Sequence, residues 1–221
     1  MANIVKAKIF FEKGDNEKNM LHNLEKIART CYKSEDKMTE GSAQRLIKNL
    51  FNRNHMAIME HEYITYRIIC DRGVTHEIVR HRIANYAQES TRYVNYSSDK
   101  YNSEINVIDI ATGFNYNLKD EKDCKKYDEW MEAMEDAEAH YMKLIELGAT
   151  PQEARSVLPN STKTEIVVTM NIREWLHFLK LRTDKAAHPQ MREVANMIKD
   201  DLLVRYPFIF GECVKQGEKV C

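Results

Sequence analysis

Two short apolar segments rich in β-branched and aromatic residues constrain the fold of this chain most strongly. Residues 62–70 (EYITYRIIC) and 163–170 (KTEIVVTM) have the composition of buried strands, and residues 4–11 (IVKAKIFF) predict a third strand. The sequence around them shows mainly helical periodicity. A strictly parallel βαβ array would need more strand–helix pairs. The pattern therefore predicts an α+β fold, with a mixed or antiparallel sheet packed against helices.

Apolar residues at helical spacing predict the remaining elements. Asn171 is expected to cap a helix, and residues 150–153 (TPQE) form a capping box with proline at the first helical position. Residues 84–103 are polar and aromatic, which predicts an ordered loop with short strands, a common location for chemistry. The predicted helices cover residues 17–31, a segment after Thr39, residues 74–82 and 120–147, a segment after Asn171, and residues from Pro189 to about Val204.

Length and composition indicate one domain over residues 1–221, with a helical elaboration. The net charge of -1 disfavours a chain that wraps nucleic acid. No apolar stretch approaches the roughly 20 residues that span a bilayer, and the N-terminus lacks the pattern of a signal peptide. We therefore expect a cytoplasmic protein. The five cysteines form no CxxC pair, so neither a disulfide framework nor a zinc site is expected.

The segment RHRIANYAQESTRY, from Arg80 to Tyr93, predicts a site for an anionic ligand. Guanidinium groups match the geometry of phosphate oxygens, and the Ser90 hydroxyl would complete a phosphate cradle. The amide of Gln88 suits the edge of a heterocycle. The alternative is a solvated basic helix end after Glu77. The residues that could carry chemistry here are Arg80, His81, Arg82, Gln88, Ser90 and Arg92.

A second polar cluster lies later in the chain, and it consists of Arg155, Asn171, Arg173, His177 and Arg182. Arg173 and His177 are four residues apart and so share a helix face. Backbone N–H groups at the start of this helix would favour an anion. The alternative for Arg182 is a structural role at the helix C-terminus, where a cation interacts favourably with the helix dipole.

A third cluster, His55 with Glu60 and His61, invites comparison with metal sites. The spacing does not fit the HExxH pattern, so we expect no metal and favour a polar lining of a cofactor pocket. No cysteine lies in the cationic segments, and a thiolate nucleophile is therefore not expected.

At several points the sequence resembles the flavin-dependent thymidylate synthases. Arg80-His81-Arg82, seven further residues and Ser90 reproduce their RHR-x7-S signature. The resemblance covers roughly residues 20–205. Further matches occur in the family's order at His55 with Glu60-His61, Arg92-Tyr93, residues 155–159 (RSVLP), Asn171-x-Arg173 and Leu181-Arg182.

The resemblance implies an enzyme that methylates C5 of dUMP to give dTMP. Methylenetetrahydrofolate would supply the carbon, NADPH would reduce FAD, and the reduced flavin would supply the hydride. It also implies a homotetramer whose active sites combine several subunits. No cysteine nucleophile is needed, which agrees with the positions of the cysteines.

Residue roles follow from the same resemblance. Arg182 would polarise the uracil ring and is the candidate catalytic residue. Ser90 is assigned to binding, since the sequence places no general base beside it. The residues expected near dUMP are Glu77, Arg80, Gln88, Ser90, Arg92, Arg155 and Arg182. Those expected near FAD are His55, Arg80, His81, Arg82, Ile83, Gln88, Asn171, Arg173 and His177.

Three positions depart from the family pattern and put individual contacts in doubt. Glu77 stands where many relatives have glutamine, His177 where asparagine is common, and Ala57 where a hydroxyl residue is common. Two other functions remain open at this point. One is a nucleic-acid-binding module that uses the RHR segment, whose affinity would fall steeply with salt. The other is a non-catalytic FAD-binding protein.

Overall fold

A four-stranded antiparallel sheet forms the centre of the computed structural model, which describes residues 2–98 and 104–213. Its strand order is β2 (Lys8–Lys13), β3 (Tyr63–Asp71), β6 (Lys163–Asn171) and β4 (Ala84–Gln88). Every neighbouring pair is antiparallel, and β3 pairs with β6 along its whole length. The predicted α+β class and antiparallel sheet are confirmed.

The predicted strand at residues 4–11 is divided between two sheets, so this prediction was only partly right. β1 (Asn3–Val5) pairs in parallel with β5 (Asn106–Ile108), apart from the main sheet, and β2 begins at Lys8. The small sheet provides the partner for the first part, which local composition does not reveal. Residues 84–88, within the segment predicted as an ordered loop with short strands, form one such short strand, the edge strand β4 of the main sheet. Residues 99–103 lie outside the described residues.

The predicted helices are present, with shifted ends. One further helix, α4, was not predicted. In chain order the helices are α1 (Glu17–Thr30), α2 (Ser42–Asn52), α3 (Arg72–Ile78), α4 (Ile110–Phe114), α5 (Glu121–Glu146), α6 (Pro151–Ala154), α7 (Ile172–Arg182) and α8 (Pro189–Arg205). The shorter helical turns are Glu35–Lys37, Met56–His61, Arg155–Val157 and a π-helical segment, Pro207–Cys213. The capping box at Thr150 is confirmed. In the described part of the chain, no helix is both long enough and apolar enough to cross a bilayer.

α3 ends at Ile78, four residues earlier than predicted, so Arg80–Arg82 lie beyond the helix. The hydroxyl of Tyr86, on β4, lies within bonding distance of two carbonyl oxygens, Ile78 O at 2.9 Å and His81 O. A polar partner for the last carbonyls stabilises a helix end. This contact ties the RHR segment to the sheet, and the alternative of a solvated basic helix end is wrong for the buried His81.

One face of the main sheet and the helices packed on it form the larger core. Its members include Ile64, Tyr66, Ile68, Ile166, Val168, Trp175, Phe178, Ile198 and Leu202. The π-helical segment adds Ile209, Phe210 and Cys213, which gives the region after Pro207 a structural role as far as residue 213. A second, smaller core joins α5 to the region of β5, through Ile105, Val107, Met134, Tyr141 and Ala154.

Two strand–helix units carry the site. The first unit is β3 with α3, and the second unit is β6 with α7. The strands pair symmetrically about Arg67 and Val167, so each residue of the first unit corresponds to the residue 100 positions later. Each helix is capped by the last residue of its strand. Asp71 Oδ1 accepts from Val74 N–H at 2.7 Å, and Asn171 Oδ1 accepts from Glu174 N–H at 2.8 Å. The predicted Asn171 cap is confirmed.

Candidate active site

His81 lies at the centre of the site, between the two units, and its ring is buried. Its Nδ1 lies 2.9 Å from Glu174 Oε1, and its Nε2 lies 3.1 Å from Nε of Arg182. Because the guanidinium Nε–H only donates, His81 Nε2 accepts and the ring proton is on Nδ1. The surroundings therefore select one neutral tautomer of His81.

Burial is the main reason that the pKa of His81 is lowered from its ordinary value of 6.5. The positive charge of Arg182 lowers this pKa further, while the hydrogen bond to Glu174 acts in the opposite direction. A lowered pKa keeps the imidazole neutral at physiological pH. The neutral ring is the form that can accept a hydrogen bond from Arg182.

Arg182 is the last residue of α7, and three of its N–H groups bind within the chain. Nε donates to His81, Nη1 to the Glu77 carboxylate at 2.7 Å, and Nη2 to the Glu77 backbone carbonyl at 3.0 Å. The alternative of a structural role at its own helix end stays open, because Arg182 lies in the last turn of α7; its guanidinium also caps the last turn of α3. One hydrogen on each terminal nitrogen has no partner among the described residues.

Glu77 forms an ion pair with Arg182, and both side chains are half-buried. This contact accounts for the carboxylate that stands where many relatives have glutamine. A carboxylate alone would repel a nucleotide, but here an adjacent guanidinium compensates its charge. Glu77 also holds the plane of the Arg182 guanidinium, since it accepts from both terminal nitrogens.

A pocket of about 360 Å³ opens beside this cluster. Its lining residues are Glu60, Ile83, Asn171, Arg173, Glu174 and His177. Four residues expected at a cofactor, Ile83, Asn171, Arg173 and His177, are thus brought together, and Arg173 pairs with Glu60. An exposed aliphatic side chain, an imidazole, an amide and a guanidinium suit a planar heterocycle with hydrogen-bonding edges.

Gln88 is half-buried on the core-facing side of β4. Its amide nitrogen lies 3.1 Å from the hydroxyl of Thr75 and 3.3 Å from that of Thr164. Both threonines are buried, so the Gln88 side chain is held in place from the first turn of α3 and from β6.

The other expected nucleotide residues form a separate group within this chain. The Arg92 side chain donates to Gln152 at 3.3 Å, which places it beside α6, close in sequence to Arg155. Ser90 Oγ accepts from the Arg92 backbone N–H at 3.3 Å. Among residues 2–98 and 104–213, no hydrogen bond or ion pair joins this group to His81 or Arg182.

Three predicted arginines and one histidine are exposed rather than enclosed. The side chains of Arg80, Arg82 and Arg155 make no hydrogen bond or ion pair with any described residue. His55 precedes the turn Met56–His61 and does not line the pocket, although Glu60 from that turn does. These groups remain available to a ligand or to another copy of the chain.

The residues that could bind a metal ion differ from the cluster considered in the sequence. Of the described residues, His81, Glu174 and His177 have ligand atoms within 4.8 Å of one another, whereas His55 and His61 do not join such a group. Arg182 lies at 3.1 Å from His81 Nε2, and its positive charge would oppose a cation. The expectation of no metal therefore stays a prediction.

Two described cysteines, Cys70 and Cys213, are buried in the main core, and burial raises the pKa of both thiols. A raised pKa disfavours the thiolate, which is the nucleophilic form. Neither thiol lines the pocket.

Glu174 was not predicted from the sequence. A glutamate three residues after Asn171 fits the first turn of a capped helix. This local role is sufficient to explain the residue, so the sequence does not predict its contact with His81. Its carboxylate reaches His81, 93 residues away, from a buried position. Only the pairing of β3 with β6 brings these residues together.

Comparisons with known proteins show the family of this chain. Residues 15–208 match the family model described as thymidylate synthase complementing protein. Relatives named flavin-dependent thymidylate synthase include one from Geobacter sulfurreducens, 33% identical over 76% of this chain and 71% of that protein. Another, from Pyrococcus furiosus, is 33% identical over 77% of this chain, and the chain spans 66% of its length, just under two thirds.

A solved structure has the same fold. It is described as a UMP/dUMP methylase, PolB, from Streptomyces cacaoi bound with 5-Br dUMP. The TM-score is 0.79 over 96% of both chains, at 23% sequence identity.

Proposed function

From the premise that this chain belongs to the family of thymidylate synthase complementing proteins, we propose that it is an FAD-dependent thymidylate synthase, a methyltransferase that converts dUMP to dTMP. The observation that carries this proposal is the guanidinium of Arg182. It is fixed by three hydrogen bonds and linked through His81 and Glu174 to the adjacent pocket. We also propose methylenetetrahydrofolate as carbon donor and NADPH as reductant, which the family resemblance suggests.

The pocket residues Ile83, Asn171, Arg173 and His177 would hold the flavin. Exposed Ile83 and His177 offer a surface for a flat ring, while Asn171 and Arg173 offer polar contacts. Bound and reduced, FAD supplies the hydride that the new methyl group requires. The remaining expected contacts to FAD are those of His55, Arg80, His81, Arg82 and Gln88.

Arg182 would act on the pyrimidine. C5 becomes nucleophilic only as negative charge spreads over the ring, and a guanidinium already held in place stabilises that charge without reorganising. The two hydrogens left on its terminal nitrogens are suited to a carbonyl oxygen of uracil. Glu77 keeps the guanidinium oriented, and Gln88, held by its two threonines, would contact the heterocycle.

The phosphate of dUMP would be bound by Ser90 and the exposed guanidinium groups of Arg80, Arg92 and Arg155. In one chain, Arg92 lies beside α6, and among the described residues no hydrogen bond or ion pair joins it to the Arg182 cluster. A second copy of the chain would complete the site. This separation supports the proposal of a homotetramer with active sites shared between subunits. The cytoplasm remains the expected location.

The proposal is tested with the purified protein, supplied with FAD, NADPH and methylenetetrahydrofolate, and dUMP labelled with tritium at C5. We expect a yellow protein that releases tritium and forms dTMP, with no release when NADPH or the folate is omitted. A protein that binds no flavin after reconstitution, or that releases no tritium when fully supplied, would contradict the proposal.

A further inference from the structure

We propose that Glu174 is a positioning residue. Its carboxylate selects the tautomer of His81 and thereby holds the Arg182 guanidinium in its working orientation. The kinetic part of this inference rests on the function proposed above. The tautomer itself is a property of the folded chain without any ligand, so the two parts can fail separately.

The chain of contacts runs through one imidazole. An ionised carboxylate only accepts hydrogen bonds, so Glu174 requires a proton on His81 Nδ1, at 2.9 Å. The guanidinium of Arg182 only donates, so it requires a bare Nε2, at 3.1 Å. Both neighbours favour the same tautomer. Without the carboxylate, a proton on the buried Nδ1 would lose its acceptor, which disfavours this tautomer. A proton moved to Nε2 would instead face the Arg182 N–H, and the two donors would repel each other.

The His81 ring has little freedom to escape this constraint. It packs edge-to-face against Phe178, with ring centroids 5.0 Å apart, and against His177 at 5.6 Å. Its backbone carbonyl lies against the hydroxyl of Tyr86. Since both His81 and Glu174 are buried, water competes weakly for their hydrogen bonds. A change of tautomer would therefore be transmitted to Arg182.

The position of Glu174 explains how a buried carboxylate is tolerated there. It lies in the first turn of α7, where the free N–H groups and the helix dipole favour negative charge. An ordinary capping glutamate would turn back to its own helix. Glu174 instead contacts His81, which follows the first unit. A purely local capping role does not require this contact.

The test compares Glu174→Leu, which removes the acceptor while filling similar space, with Glu174→Gln, whose amide oxygen can still accept from Nδ1–H. The matched control is Glu138→Leu, because Glu138 is equally buried, at 7% exposure, but lies in the smaller core on α5. Each protein is labelled with ¹⁵N-histidine and examined by NMR without ligand, and dTMP formation is then measured at saturating substrates.

We expect wild type, Glu174→Gln and the control to show His81 as the Nδ1–H tautomer. Glu174→Leu should lose it and should show a kcat about 10- to 100-fold lower, because a small displacement of a catalytic group has effects of that size. The KM for dUMP should change by less than about threefold, since binding is largely retained. Combining Glu174→Leu with Arg182→Ala should slow the enzyme no further than Arg182→Ala alone.

The inference is overturned if Glu174→Leu keeps the Nδ1–H tautomer, or if it changes tautomer and keeps the wild-type kcat. A loss in Glu174→Gln as large as in Glu174→Leu would also overturn it, since the acceptor is present in the former. If Glu174→Leu does not fold, Glu174→Ser replaces it, being tolerated near a helix start but too short to reach His81. A wild-type protein with the expected tautomer but no turnover would refute the proposed function instead.

Discussion

The first and second strand–helix units have the same local structure but different functional roles. Each pairs a nine-residue strand with a helix capped by an aspartate or asparagine side chain, and 100 residues separate equivalent positions. Yet the position occupied by buried Val74 in the first unit holds the buried carboxylate of Glu174 in the second. Capping and strand composition therefore build both units, while the chemistry depends on the residues that contact each other across them.

The arginines at the ends of the two units show the same contrast. α7 continues as far as Arg182, whose guanidinium is fixed by Glu77 and His81. α3 ends at Ile78, so the equivalent residue, Arg82, lies outside the helix and is exposed. A fixed guanidinium is suited to charge that develops during a reaction, and an exposed one is suited to holding a ligand.

The largest expected difference between the units is in stability. Trp175 is completely buried, packs against Tyr66 and Phe178, and donates to the Ile64 carbonyl at 3.0 Å, whereas its counterpart is the small residue Thr75. Trp175→Ala should lower the free energy of unfolding by about 3–5 kcal/mol. Thr75→Ala should lower it by about 1–2 kcal/mol, through lost hydrogen bonds.

Urea unfolding followed by circular dichroism measures both values. Equal losses in the two variants would mean that the second unit is not the main support of the core, and the comparison would fail at the level of packing.

A smaller difference should appear as pH falls, because the histidine that follows the first unit, His81, is buried, whereas His177 of the second unit is exposed. The folded-state pKa of His81 lies below its ordinary value of 6.5. The unfolded chain therefore takes up this proton first, and stability is lost as pH falls from about 6.5 through the lowered pKa. The slope is at most about 1.4 kcal/mol per pH unit for one group.

Unfolding free energies at pH 7.5, 6.0 and 5.0 should decline more steeply for wild type than for His81→Asn. The groups facing His81, namely Glu174, Arg182 and His177, are present in both proteins, so the difference isolates the imidazole. Parallel pH dependences would show that His81 is not held neutral.

The smallest effect is expected from exchanging the two caps. Burial raises the pKa of Asp71, and its second oxygen, Oδ2, is buried without a hydrogen-bond partner in the described structure. A carboxyl with a raised pKa lowers stability as pH rises from its ordinary value of 3.8 through the raised pKa. Asp71→Asn keeps a good cap and should stabilise the fold by less than about 1 kcal/mol at pH 7, a gain that disappears near pH 3.

Asn171→Asp should lower stability at pH 7 by a similar small amount, because it adds a second buried carboxylate close to Glu174. Thermal unfolding at pH 7 and pH 3 separates the two variants. The idea of equivalent caps in unequal surroundings would be rejected if both substitutions changed stability in the same direction.

Much of the fold follows from local sequence. Residues 62–70 and 163–170 gave two central strands, and Asn171 gave a helix start, because composition and capping are local properties. The division of residues 4–11 and the early end of α3 depend on partners elsewhere, a second sheet and Tyr86. No local pattern contains those partners.

The site residues also fall into two groups, those that the sequence indicates and those that depend on partners far away in the sequence. The RHR segment and Arg182 stood out through the family resemblance and through the chemistry of guanidinium groups. The pair of Glu77 with Arg182 joins residues 105 positions apart, and the contact of Glu174 with His81 is similarly distant in sequence. Because the Glu174 carboxylate fits the start of its own helix, the local sequence does not indicate a distant partner. Its contact with His81 is seen only in the folded chain, where β3 pairs with β6.

The central claim, that equivalent arginines have different duties, is tested most directly by flavin reoxidation in a single turnover. Wild type, Arg182→Ala and Arg82→Ala are loaded with FAD, reduced without oxygen and mixed with dUMP and methylenetetrahydrofolate, with exposed Lys180→Ala on α7 as control. We predict normal FAD affinity but reoxidation at least about 100-fold slower for Arg182→Ala. Arg82→Ala should show weakened FAD binding and a nearly normal rate at saturating FAD. Weakened FAD binding with a normal rate in Arg182→Ala would contradict the account.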